Sequence, residues 1–304
     1  MATGGHLILS FLLLGACHVF ETGEIPVTCD ELDDCGVTVV PTTGSGIAIS
    51  ATDGTSWEAT IFDGPEFNEI QRHASTGDLA GPLAYDPDAG LLYVNHYGAV
   101  YRFRQGEDAF KEHMPQEASP VLDMALVTGP SEDGPKLPLL LTQDMIYGWW
   151  GDISPIHPER PLTDLRSLAV SPNETLYVLD AGDGDGPDLY TVSNTAPMTT
   201  HSENIGIDMS LLGGDLFFHG DELLVCSSDG SVYAIDDIIS GDTTNALAYT
   251  SSEVSQAVAC AYDANLDRYL VATQDGVIYA IMSGEEEQII SLVSDSNYSD
   301  VYFF

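Results

Sequence analysis

The sequence predicts an all-β chain folded as a β-propeller. Three observations carry that reading: a strand–turn–strand unit that recurs, a nearly constant spacing between recurrences, and little helical periodicity anywhere. The clearest unit is Leu223 to Asp236, LLVCSSDGSVYAID. Leu223–Val225 is an apolar run, Asp229-Gly230 a turn signal, and Val232–Ile235 a second alternating run. Asp-Gly between two such runs predicts a hairpin on a type I′ turn, which needs φ > 0 at both central residues.

The aromatic three residues after the turn glycine marks the repeat. Tyr233 follows Gly230, Trp57 follows Gly54, Tyr101 follows Gly98 and Tyr279 follows Gly276. Tyr147 follows a shortened turn at Asp144, and Tyr190 follows a Gly/Asp-rich loop. From Trp57 onward the spacings are 44, 46, 43, 43 and 46 residues. A period of about 40–50 residues is that of WD40-like or kelch-like blades. An ordinary β-sandwich also has short strands and turns, but it repeats no marker at constant period.

Each unit also carries an earlier strand. Leu83-Ala84-Tyr85 precedes the turn Asp86-Pro87-Asp88, Ser167–Val170 precedes Ser171-Pro172-Asn173, and Cys260-Ala261-Tyr262 precedes Asp263-Ala264-Asn265. A looser segment follows the marker, which gives four short strands per unit. The first unit reads Val37–Val40, Gly46–Ser50, Ser56–Phe62 and a looser run from Phe67 to Arg72. The last residues, Ser299 to Phe304, repeat the first-strand pattern and stop. That predicts a ring closed by the C-terminal strand, with six blades, or seven if Val37–Val40 finds a separate partner. Closure of this kind removes exposed sheet edges.

The N-terminal region precedes the repeats. Residues 1–16 read as a signal peptide whose apolar core, Leu7–Leu14, is too short to span a bilayer. Leu14-Gly15-Ala16-Cys17 resembles a bacterial lipobox, which implies cleavage before Cys17 and a diacylglyceryl thioether on its sulfur. Residues 17–36 read as a solvated acidic tether, and residues 37–304 as the propeller. Cys29 and Cys35, six residues apart in the tether, are expected to form a local disulfide in an exported protein. Cys226 and Cys260 lie in predicted strands of adjacent blades, either as two buried thiols or as a bridge. His18 after the lipidated cysteine is not the aspartate that resembles an inner-membrane retention signal. The outer membrane is therefore the expected location in the cell envelope.

Charge excludes some partners. Forty-eight acids face eight bases, for a formal net charge of −40. Nucleic acid needs clustered Lys and Arg, and the sequence has no such cluster. Attraction to an anionic membrane surface fails for the same reason, which leaves the lipid anchor as the only expected membrane contact. A surface this acidic fits saline surroundings or a shell of divalent cations, with the chain as a monomer.

The unit Asp229-Gly230-Ser231-Val232-Tyr233-Ala234-Ile235-Asp236, with Gly241 after it, resembles the repeat of quinoprotein-like propellers. The same repeat occurs in the propeller lipoprotein of the outer-membrane barrel-assembly machinery. Asp275–Ile281 matches in part. The family's docking tryptophan is missing, since DTTNALAYT follows Gly241. The resemblance implies the fold and argues little for a quinone cofactor.

Two groups of residues are candidate sites. Asp180, Asp183, Asp185 and Asp188 alternate with glycines on a loop inserted in the fourth unit, and such a loop can offer hard oxygens to Ca²⁺. The competing reading is an acidic hairpin tip with no cofactor. Asp123, Ser167, Asp215 and Asp300 each stand just before the apolar residues of an innermost strand. They would ring one mouth of the channel, where convergent carboxylates can hold a divalent metal, as in propeller lactonases. The competing reading is a side chain bonding local backbone N–H groups. The histidines show no HxH or HExxH spacing, and no GxSxG elbow or phosphate-cradling loop occurs. Trp149-Trp150 is read as extending an inner strand, either as an exposed aromatic platform or as packing between blades. The function expected is a non-catalytic envelope lipoprotein whose propeller binds a protein or a polysaccharide. The alternative is a metal-dependent hydrolase or lactonase using the channel acids.

The charge generates a first prediction. Melting temperature should rise with ionic strength while the Debye length shrinks from about 30 Å to about 10 Å. Calorimetry across a salt series checks it. A flat profile up to molar salt would show that the acids are spaced too widely to repel.

Overall fold

A computed structural model of the chain describes residues 46–304, apart from residues 64–66, 77–80, 97, 105–108, 116–119, 130–133, 150–151, 157–163, 182–187, 193–199, 203–214, 229–230, 236–244, 250–255, 264–265, 283–284 and 291–296. Cys17, Cys29, Cys35 and Val37–Val40 therefore lie outside the described residues, as do Asp183 and Asp185.

Strands β1 (Ile47–Thr52), β2 (Ser56–Asp63) and β3 (Asn68–Thr76) open sheet A. Sheet B holds β4 (Leu83–Asp86), β5 (Leu91–His96), β6 (Ala99–Arg104) and β7 (Phe110–His113). Sheet C holds β8 (Val121–Val127), β9 (Leu137–Thr142), β10 (Ile146–Trp149) and β11 (Ile153–Ile156). Sheet D holds β12 (Leu165–Val170), β13 (Leu176–Asp180), β14 (Asp188–Val192) and β15 (Thr200–Ser202). Sheet E holds β16 (Leu216–His219), β17 (Glu222–Cys226), β18 (Val232–Ile235) and β19 (Asn245–Tyr249). Sheet F holds β20 (Ala257–Asp263), β21 (Arg268–Thr273), β22 (Ile278–Met282) and β23 (Glu285–Ile290). The last strand, β24 (Asn297–Phe303), returns to sheet A and pairs antiparallel with β1, giving the order β24-β1-β2-β3.

The core is a set of wedges between sheets. Side chains alternate across a strand, so the two faces of β8 serve different neighbours. Met124 and Leu126 pack toward sheet B, while Ala125 and Val127 pack toward sheet D. The innermost strand of the next sheet, β12, repeats the division: Leu168 faces sheet C and Ala169 faces sheet E. Among the described residues each pair of consecutive sheets shares such a cluster, and a further cluster joins sheet F to sheet A through β1, β24 and β20–β22. Burial on both faces explains why these strands read as near-continuous apolar runs.

The aromatic markers all fall on the third strand from the centre of a sheet: Trp57 on β2, Tyr101 on β6, Tyr147 on β10, Tyr190 on β14, Tyr233 on β18 and Tyr279 on β22. Their turn glycines have a backbone reason. Gly54, Gly98 and Gly276 have φ of 85°, 70° and 83°, which a side chain would strain. The type I′ turn expected at Asp229-Gly230 lies outside the described residues, and the Asp275-Gly276 turn has another form. At Thr273–Val277 the Gly276 N–H donates to Thr273 O, the Val277 O accepts from Thr273 N–H, and Asp275 keeps a negative φ. That is a three-residue loop with only its last residue left-handed, so Asp-Gly supplies one αL position and not two. Trp149 is also relocated: it sits on β10, the third strand, not on an inner one. There it is buried, with Tyr93 of sheet B at 5.9 Å and Phe110 stacked at 5.8 Å between ring centroids.

Cys226 on β17 and Cys260 on β20 form a disulfide that joins sheets E and F, with Cα atoms 6.0 Å apart. The sequence left this pairing open. The bridge closes a loop of 34 residues in sequence separation, and the chain-entropy relation gives about 4 kcal/mol of stabilisation for such a loop. Reduction, or Cys226→Ala with Cys260→Ala, should therefore lower the unfolding free energy by about that amount in urea titrations. An unchanged midpoint would mean that the unfolded chain gains little freedom when the bridge opens.

Candidate functional site

The innermost strands β4, β8, β12, β16, β20 and β24 surround a central space. Their corresponding positions are Pro82, Asp123, Ser167, Asp215, Ala259 and Asp300, each one residue before Leu83, Met124, Leu168, Leu216, Cys260 and Val301. Asp123, Asp215 and Asp300 border two cavities, of about 600 Å³ and about 240 Å³. The acids thus form a waist between the cavities.

Bulges set the direction of these side chains. Register shifts fall between Val121 and Asp123 on β8, between Leu165 and Ser167 on β12, and between Ala257 and Ala259 on β20. On β24 the shift lies between Tyr298 and Asp300, opposite Ser50 and Ala51 of β1. A bulge leaves one residue out of the ladder and re-aims its neighbours. The residues left out, Leu122, Arg166, Val258 and Ser299, line the smaller cavity. The sequence signal of an Asp or Ser before an apolar run located the waist positions. Nothing in it announced the bulges, because a bulge is a property of the pairing with a second strand.

The waist groups reach across to the next sheet. Asp300 Oδ2 accepts from Leu83 N–H of β4 at 2.8 Å, and Asp123 Oδ2 accepts from Leu168 N–H of β12 at 2.8 Å. Ser167 Oγ accepts from Leu216 N–H of β16 at 3.0 Å. Each aspartate also accepts from the N–H of the residue after it: Met124 at 2.7 Å, Leu216 at 2.7 Å and Val301 at 2.9 Å. Ser167 Oγ lies 2.8 Å from Asp123 Oδ2 and 2.9 Å from Asp215 Oδ1, so one hydroxyl bridges two carboxyls from different sheets. Among the described residues no three His, Cys, Asp or Glu side chains come together in a metal-holding group.

Burial dominates the electrostatics of the waist. Desolvation pushes Asp123 up, opposed by the N–H of Leu168, the Ser167 hydroxyl and the N–H of Met124. Asp215 is pushed well above the carboxylate range by desolvation, then by the charges of Asp123 and Asp300. Asp300 rises to about 7, through desolvation and then Asp123. Tyr302, on the wall of the larger cavity, is held above the usual tyrosine range by burial and then by Asp86, Asp123 and Asp215.

The acidic loop of sheet D sits elsewhere. Asp180 and Asp188 are register partners at its base, Asp180 is buried, and its Oδ1 accepts from Asp164 N–H at 3.1 Å. A second inter-sheet clamp escaped the sequence reading. Asp86 Oδ2 accepts from Lys136 N–H at 2.8 Å, and Tyr93 OH donates to Lys136 O at 2.9 Å.

The fold has a solved counterpart. The crystal structure of the WD40 β-propeller domain of Doa1 is similar to this chain at a TM-score of 0.54 and 15% identity, covering 86% of this chain and 82% of that one. At that identity the likeness shows the fold alone: the chain is a β-propeller. No family model and no curated protein matches the sequence.

Two desolvated groups, the buried His73 and the half-buried Asp300, give opposite pH dependences. His73, stacked on Phe103, is lowered from 6.5 to about 4 by burial. The unfolded chain then binds a proton that the folded one refuses, so this stability is lost as pH falls from 6.5 towards 4. Asp300 is the reverse: the folded state keeps a proton that the unfolded state has released, and stability is lost as pH rises from 3.8 to about 7. Asp300→Asn should therefore gain on the parent as pH rises through that window, by several degrees in melting temperature, since about 1 kcal/mol moves a domain this large by about 2–4 °C. Parallel melting curves for parent and variant at all pH values would show that Asp300 ionises normally.

Proposed function

We propose that the chain is a non-catalytic binding module, a β-propeller held at the cell envelope through lipidated Cys17. In this reading its loops engage an envelope protein or a polysaccharide. The observation that supports it is how the waist carboxyls are used. Asp123 and Asp300 each accept a backbone N–H from the next sheet and another from their own strand. Lone pairs committed to amides hold sheets together and are poorly placed to hold a catalytic ion. A propeller alone does not fix a function, so the weight rests on this use of the acids and on the lipobox-like sequence.

The rival reading is a metal-dependent hydrolase, favoured by the convergence of three acids on a cavity of about 600 Å³. A metal hydrolase loses both ion and turnover when a ligand is removed. Purified parent and the Asp123→Asn, Asp215→Asn double variant should show the same background metal content and the same background esterase and lactonase rates, measured below the melting temperature of either. Stoichiometric metal in the parent, lost in the variant together with turnover, would replace the binding module by the enzyme. The anchor is tested in the same preparations. Cys17→Ser should move the chain from the membrane fraction to the soluble one, and retention after a high-salt wash would remove the lipid anchor from the reading.

A further inference from the structure

The bridge at the waist has more acceptors than hydrogens. A serine hydroxyl has one hydrogen to donate and two lone pairs. Ser167 Oγ already accepts from Leu216 N–H and lies within hydrogen-bond distance of two carboxyl oxygens, Asp123 Oδ2 at 2.8 Å and Asp215 Oδ1 at 2.9 Å. Its hydrogen serves only one of them. If both carboxyls were ionised, the other contact would set a lone pair against a carboxylate oxygen. Both carboxyls border the cavities, but at 2.8 Å and 2.9 Å from Ser167 Oγ their oxygens leave no space for a water between them and the hydroxyl. The bridge closes when one of the two carboxyls carries a proton and donates it to the free lone pair of Ser167.

We infer that the Asp123–Ser167–Asp215 bridge holds one proton at neutral pH, that the proton sits on Asp215, and that it fastens sheets C, D and E to one another. The order of donation is Asp215 O–H to Ser167 Oγ, then Ser167 O–H to Asp123 Oδ2. Asp123 is the ionised member because it accepts two backbone N–H groups, from Leu168 and Met124, whereas Asp215 accepts one, from Leu216. Amide donors favour the charged form of a carboxyl.

Among the described residues the surroundings supply no cation to replace the proton. On β12, Arg166 is paired with Asp164 at 2.7 Å. Lys136, on the wall of the larger cavity, is directed to Asp88 at 4.0 Å. On β20 and β21, Asp263 is held by Arg268 at 3.0 Å. His219 of β16 stacks on Tyr262 of β20, and Glu174 is bonded by Thr128. β24 contributes Asp300 and Tyr302, and β17 contributes Cys226, which is locked in the disulfide. Among the described residues the groups that add charge beside Asp215 are the acids Asp123 and Asp300, and the desolvation that raises Asp215 acts in the same direction.

Infrared spectroscopy reads the proton directly. Asp300 titrates near neutrality, so the measurement uses the Asp300→Asn chain. At neutral pH that chain should show the C=O stretch of one buried carboxylic acid, shifted in deuterium oxide, and adding Asp215→Asn should abolish it. No such band in Asp300→Asn, or a band that survives Asp215→Asn, would overturn the assignment. The parent labelled with ¹³C at its aspartate carboxyls gives the same answer without a substitution. One carboxyl resonance besides that of Asp300 should remain in its protonated position at neutral pH, and its absence would refute the bridge. Stability separates a proton from a mere contact. Asp215→Asn retains a donor towards Ser167 and should lose the pH dependence of melting above neutrality, while Asp215→Ala should melt lower than Asp215→Asn at every pH. Equal melting of the two would overturn the fastening role.

Discussion

Everything in this chain depends on apolar faces that no single sheet can cover. A four-stranded sheet with alternating side chains exposes two such faces, and both are covered only by sheets on either side. The six clusters answer that requirement, including the one in which β24 and β1 meet sheet F. The pairing of β24 with β1 matters for the same reason, since it completes the sheet that the last and first units share. The geometry also crowds the inner strands together. Where they converge, a side chain reaches the backbone of the next sheet, and the waist aspartates do so.

The charges divide accordingly. A chain with a formal net charge of −40 keeps most of its acids in water, where salt screens them. Asp86, Asp180 and Asp263 are buried, and desolvation raises the half-buried Asp123, Asp215 and Asp300. Their hydrogen bonds hold sheets together, and their ionisation opposes that at higher pH. The waist is thus both a fastening and a point of electrostatic tension.

Periodicity made the architecture readable. The markers all fall on the third strand of their sheets, and Gly54, Gly98 and Gly276 recur because their loops take a left-handed residue. The positions of Asp123, Ser167, Asp215 and Asp300 were legible because each precedes an apolar run. What they touch was not legible, because the bulges that aim them arise from strand pairing. Trp149 was misplaced because its apolar neighbourhood resembles an inner strand, and only the pairing with Leu139–Leu141 on one side and β11 on the other puts it third. The pairing of Cys226 with Cys260 depends on two sheets meeting, a distance that spacing along the chain does not encode.

The bulges also separate two jobs that a strand residue usually performs together. Leu122, Arg166, Val258 and Ser299 stand out of the ladder, so their identity is not tied to pairing, and of the four only Val258 also packs against a wedge, the one between sheets F and A. This chain already places an aliphatic, a guanidinium, a β-branched and a hydroxyl side chain at the four equivalent positions. Together they line one vestibule of about 240 Å³. A propeller built this way has an interior whose chemistry can be rewritten one sheet at a time while the frame around it stays as it is.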